Sequence, residues 1–221
     1  ACAAQSRSQG AHVNGFGHVW TSVEDFRRAH LAGREERLPV DVFTLVELRL
    51  RLDVIPFDDL AAKYGIDAAL MPDFTGLYVD AESYVLWERG PVWKQNRLRF
   101  SVAHELGHFV LHRDAAAKVK FRSFEEFARY FNANDGPKYH LEQEANEFAG
   151  RLLVPIERLR EQFDRFASQI GAIMPNWIRS EDLRLKFAET IAPRFGVHTQ
   201  SVVTRLDREG LLETNKRLAL S

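Results

Sequence analysis

Cysteine is nearly absent from this chain: Cys2, close to the start, is the only one. No disulfide can close within the chain, so the fold is not a stapled secreted scaffold, and any metal site must rest on histidine and carboxylate. Long apolar runs are missing as well. Nothing approaches the roughly 18 apolar residues of a membrane-spanning helix. The opening Ala1 to Gly10 is small and polar and lacks the charged and apolar regions of a secretion signal, so the cytoplasm is the expected location. Basic excess is lacking too. Lys and Arg number 30 against 31 Asp and Glu, and the net charge of −1 does not suit a dedicated nucleic-acid binder. No internal repeat is seen.

What is present is the balance of an ordinary globular protein, with 45% apolar and 28% charged residues over 221 positions. That length supports one substantial core, alone or with a small satellite. Residues 1–38 read as a polar tail followed by a short helix from Thr21 to Ala32 that Gly33 ends. From Pro39 the chain reads as helix, then as an extended Asp53–Phe57, then as a helical turn from Asp58 to Tyr64 that Gly65 stops. Gly76–Val79 and Ser83–Trp87 flank Asp80-Ala81-Glu82 and predict a β-hairpin. Helices are expected from Asn96 to His112, Ser123 to Phe131, Leu141 to Val154 and Pro155 to Phe166. Two more are expected about Gly196, between Ser180 and Leu212.

Chemistry concentrates in His104-Glu105-Leu106-Gly107-His108. Residues four apart on a helix differ by about 40° around the axis and about 6 Å along it, so both imidazoles face one side. They can hold one ion at about 2.0–2.1 Å each. Glu105, at the edge of that face, is placed to act on a water beside the ion as general base. Val102, Ala103, Leu106, Phe109, Val110 and Leu111 would bury the rest of the helix. Two structural histidines are the competing reading.

A catalytic site needs a third protein ligand. His112 lies about 12 Å along the axis from His104, too far to share an ion with it. It reads as a structural residue or one that supports a ligand from behind. Glu142 is the better candidate. It shares a helix face with Ala145, Asn146 and Ala149, and an acid beside small residues that enters the interior needs a cation. Asn146, one turn on, is placed to accept the free ring N–H of His104 or His108. Glu144 and Glu147 point elsewhere and read as solvated. A solvated acid is also the competing reading of Glu142.

Two stretches resemble the signature of the ImmA/IrrE metallopeptidases. The first runs from Arg97-Leu98-Arg99-Phe100-Ser101-Val102-Ala103 through His104-Glu105-Leu106-Gly107-His108 to Leu111-His112. The second comprises Glu142, Glu144-Ala145-Asn146, Phe148-Ala149, Leu152-Leu153 and Pro155. The resemblance implies an α+β, zincin-like minimal metalloprotease with a small antiparallel or mixed sheet and a C-terminal helical, helix-turn-helix-like part. Its spans would be an N-terminal tail and helix over 1–38, the peptidase domain over 39–172 and the helical part over 173–221. It also implies His104, His108 and Glu142 as metal ligands, Glu142 rather than Glu144, with Glu105 as the base. The metal would be zinc (Zn2+), although manganese (Mn2+) and iron (Fe2+) also suit such ligands. The implied activity is endopeptidase cleavage of one specific protein, such as a helix-turn-helix repressor in a stress or mobile-element response.

Two rival readings are a non-catalytic, antitoxin-like binding partner that keeps the metal site, and a DNA-binding regulator acting through residues 180–212. For DNA reading, Gln200 and Arg205 are the available side chains, while Val202, Val203 and Leu206 look like packing. Tyr130, Tyr139, His140 and His112 are the candidates to steady an oxyanion.

Overall fold

A computed structural model describes residues 15–31, 37–116, 118, 126, 139–174 and 176–212. The helix expected over Ser123–Phe131, and Tyr130 with it, falls outside these residues apart from Glu126. The described elements are mostly helices around a small mixed sheet. This is the α+β class expected.

The chain opens with α1 (Gly17–Leu31) and a π-helical turn over Thr44–Arg49. Strand β1 (Asp53–Phe57), a short α2 (Leu60–Tyr64), β2 (Ala68–Leu70) and β3 (Gly76–Asp80) follow. Strand order is β1-β3-β2, with β1 parallel to β3 and β2 antiparallel to it, Leu70 opposite Leu77.

The hairpin expected across Asp80-Ala81-Glu82 does not form. The second arm is a helix, α3 (Ala81–Val85). Asp80 decides this. Its carboxylate accepts hydrogen bonds from the backbone N–H of Ser83 at 3.1 Å, the Ser83 hydroxyl at 2.9 Å and the N–H of Ala61 at 3.0 Å. A capped first turn outweighs the strand preference of Tyr84 and Val85. Tyr84 and Trp87, three apart, both pack edge-on against Phe43, while Val85 is left 78% exposed.

Two long helices form the centre, α4 (Val92–Leu111) and α6 (Tyr139–Leu153), with the one-turn α5 (Arg113–Ala116) after α4. Leu98, Val102, Ala103 and Leu106 of α4 are fully buried, as are Ala145, Phe148, Ala149 and Leu152 of α6. Each buried Leu, Val or Phe contributes ~1.5–3 kcal/mol. The helices come close together at Gly107. A Cβ there would lie 2.9 Å from Ala145 Cα, 3.0 Å from its carbonyl oxygen and 3.1 Å from Phe148 Cβ.

The carbonyls that end α6 have no partner within the helix. Buried arginines from distant segments supply donors: Arg27 to Leu152 O at 3.0 Å and Arg205 to Val154 O at 3.3 Å. After α7 (Ile156–Gly171) and a 3-10 turn over Trp177–Arg179 come α8 (Glu181–Phe195) and α9 (Thr199–Arg208). They join at Gly196, whose φ of +60° suits glycine, and whose missing side chain leaves room for the Arg99 guanidinium. Arg99 donates to Gly196 O at 2.8 Å, tying this turn to α4. One buried apolar cluster runs from Val19 of α1 to Leu212.

Gly107→Ala is expected to lower stability by ~1–3 kcal/mol in urea denaturation. The clash with Ala145 backbone outweighs the better helix propensity of alanine, and an unchanged midpoint would show that α4 and α6 are not held this close.

Candidate metal centre

The α4–α6 contact brings His104, His108 and Glu142 to one point. His104 Nε2 and His108 Nε2 are 3.0 Å apart. Glu142 Oε2 is 3.3 Å from the first and Oε1 is 3.0 Å from the second. One ligand atom from each residue falls within 4.8 Å of the others. Asn146, one turn after Glu142, places Oδ1 3.1 Å from His104 Nδ1. An amide oxygen only accepts, so this contact puts the His104 proton on Nδ1 and turns the Nε2 lone pair toward His108 and Glu142.

Two imidazole nitrogens and a carboxylate oxygen facing one another repel unless something positive lies among them. Glu142 Oε1 is buried and finds no hydrogen-bond donor among the described residues, although His108 Nε2 lies 3.0 Å away. This donor set fits a divalent cation. Electrostatics agree. Burial raises the Glu142 carboxyl, but its contacts with His104 and His108 outweigh burial and bring it down to about 2. Burial pushes His108 down to about 4, against the pull of Glu142. Burial also opposes the charge of His104, yet Glu142, Glu105 and Asn146 together raise it above the ordinary imidazole value.

Glu105 points to the other side of the group. Its Oε2 accepts the N–H of Leu70 in β2 at 2.8 Å, which fixes the carboxyl against the sheet. Burial pushes it up to about 7, with the charge of His104 and the Leu70 N–H pulling the other way. An acid poised there both takes and gives protons near neutral pH. His104, Glu105 and Asn146 open into a cleft of about 950 Å³. Its walls include Trp93, Arg97 and Phe100 of α4, the Gly65–Ala68 stretch, and Ala192, Pro193 and Val197 toward the C-terminus.

Two acids read as solvated are not. Glu144 lies between His112, at 2.9 Å, and His18, at 3.2 Å. Glu147 is 3% exposed and accepts from Trp20 Nε1 and Arg151 Nε, both at 2.8 Å, and from Arg208. Of these contacts only Arg151, four residues on from Glu147, left a mark in the sequence. Arg205, considered for base reading, is 2% exposed and paired with Glu209, so it does not present itself to DNA. Tyr139 and His140 are exposed in the first turn of α6.

A family model described as Peptidase M78, IrrE N-terminal-like domain, matches residues 94–207, just over half of the chain. The chain belongs to the M78 peptidase family. No curated protein matches it. The M78 span takes in nearly all of α4 and α9 and the whole of α6 and α8, and therefore every residue of the cluster. Membership points to a metal-dependent peptidase and so to protein substrates. Among the described residues of this M78 chain, no helix is long and apolar enough to cross a membrane.

The raised Glu105 carboxyl has a thermodynamic consequence. A carboxyl whose folded value exceeds its unfolded one withdraws stability as pH rises from about 4.5 to about 7. Metal-free Glu105→Gln is therefore expected to be more stable than the unsubstituted metal-free protein at pH 8, by ~1–3 kcal/mol, with the gap closing toward pH 5. Thermal unfolding at both pH values measures it, and a gap that does not change with pH would refute it.

Proposed function

We propose that the chain is a zinc-dependent endopeptidase that cuts one specific protein, a helix-turn-helix repressor of a stress or mobile-element response. His104, His108 and Glu142 hold the metal, Asn146 orients His104, and Glu105 is the general base. The observation that carries this reading is the convergence of His104 Nε2, His108 Nε2 and the Glu142 carboxylate beside a separately anchored Glu105. When bound, a divalent cation supplies Lewis acidity to the scissile carbonyl and to a water.

The side chains do the rest. Leu70 N–H holds one Glu105 oxygen, and the other takes the proton of the attacking water. The same carboxyl then gives that proton to the leaving amine nitrogen, which releases the new N-terminus. The chain to be cut lies in the cleft walled by Trp93, Arg97, Phe100 and the Gly65–Ala68 stretch, which opens onto Glu105. A partner that only binds has no use for an acid anchored there. The repressor substrate rests on the ImmA/IrrE resemblance, and it implies action in the cytoplasm. The peptidase unit over 39–172, with a tail before it and a helical part after it, is the division we propose on the same basis.

Elemental analysis of the purified protein is expected to find about one zinc per chain, lost in Glu142→Ala. Glu105→Gln is expected to keep the metal and to lower cleavage of the neighbouring helix-turn-helix regulator by ~10²-fold or more, read by mass spectrometry. Cleavage retained by Glu105→Gln would remove that residue from the mechanism. Zinc retained by Glu142→Ala would remove Glu142 from the ligand set.

A further inference from the structure

His112 ends α4. Its N–H bonds back to His108 O at 2.9 Å, and its ring is buried. It lies behind His108, on the side away from Glu142. His112 Nδ1 is 2.9 Å from His108 Nδ1, and His112 Nε2 is 2.9 Å from Glu144 Oε2. The second Glu144 oxygen is 3.2 Å from His18 Nε2 on α1. A continuous line of polar contacts thus runs from the rear of His108 to the first turn of the N-terminal helix.

The direction of that line is set at its far end. A carboxylate only accepts, so the His112 proton belongs on Nε2, facing Glu144. A neutral His112 then presents its Nδ1 lone pair to His108, and the His108 proton belongs on Nδ1. That leaves the Nε2 lone pair of His108 directed at His104 and Glu142. The opposite order would set an imidazole lone pair against the Glu144 carboxylate and a proton on His108 Nε2, where an ion should be.

We propose that Glu144 and His112 are a positioning couple that fixes the tautomer and the ring of His108 for metal binding. The couple rests on the metal-site reading above. His104 is served by a different device, the neutral Asn146 amide, so the two ligand imidazoles are held unequally. A carboxylate-backed imidazole is the more basic ligand, which makes His108 the stronger anchor of the pair.

Zinc affinity by chelator competition tests the couple, with the absorption of the cobalt-loaded protein as a second readout of ligand geometry and circular dichroism as the check on folding. His112→Leu is expected to weaken zinc by ~10-fold or more, and Glu144→Gln by a smaller factor. His112→Asn keeps an oxygen where Nδ1 was, so it is expected to recover part of what His112→Leu loses. A merely structural His112 would give no such rescue. Unchanged affinity in folded Glu144→Gln, or His112→Asn no tighter than His112→Leu, would overturn the couple. If His112→Leu fails to fold, Glu144→Gln decides alone. An unsubstituted protein that binds no zinc at all would overturn the metal-site reading and the couple with it, an outcome distinct from any pattern among the variants.

Discussion

Everything in this molecule depends on how closely α4 and α6 approach. The contact needs a residue without a side chain at 107 and a small one at 145, and it has both. Side chains from facing helices can share an ion only when the backbones are near enough for short side chains to meet. His104 and His108 come from one helix and Glu142 from the other, so the distance between the axes sets the size of the group. The apolar residues around Gly107 supply the energy, and the polar atoms in the middle raise the cost. Fold and site are one problem here, because the packing that buries Phe148 also buries a carboxylate that requires a positive partner.

The surrounding structure answers that cost in layers. Asn146 and His112 each engage the Nδ1 of one imidazole, and Glu105 is drawn aside by the β2 backbone. No two of these contacts come from the same kind of group: an amide, an imidazole and a peptide N–H. The arrangement keeps like charges apart. Glu105 and Glu142 would repel if both turned inward, and the Leu70 N–H gives Glu105 a reason to stay at the margin.

Legibility in the sequence followed the range of the interactions. The shared face of His104 and His108 was readable because helical spacing is a local property, and so was the small-residue face that carries Glu142. The turn at Gly196 between two helices was readable for the same reason. Strand β2 was not, because Ala68-Ala69-Leu70 is too short to show a period. Ser83–Trp87 misled because its letters suit a strand, while the Asp80 cap that overrides them acts through side-chain geometry. Glu144 and Glu147 looked solvated because their partners, His18, Trp20, His112 and Arg208, lie between 32 and 127 positions away on other elements.

The arginines at the end of α6 bear on how much chain the site requires. The stretch that resembles M78 peptidases begins at residue 94, yet Arg27, which holds Leu152 O, and Leu70, which holds Glu105, both precede it. The smallest piece that keeps the ligand-bearing helix seated is therefore longer than the piece that carries the family likeness. Kinship is written in one half of the chain, and part of the mechanical support for it is contributed by the other.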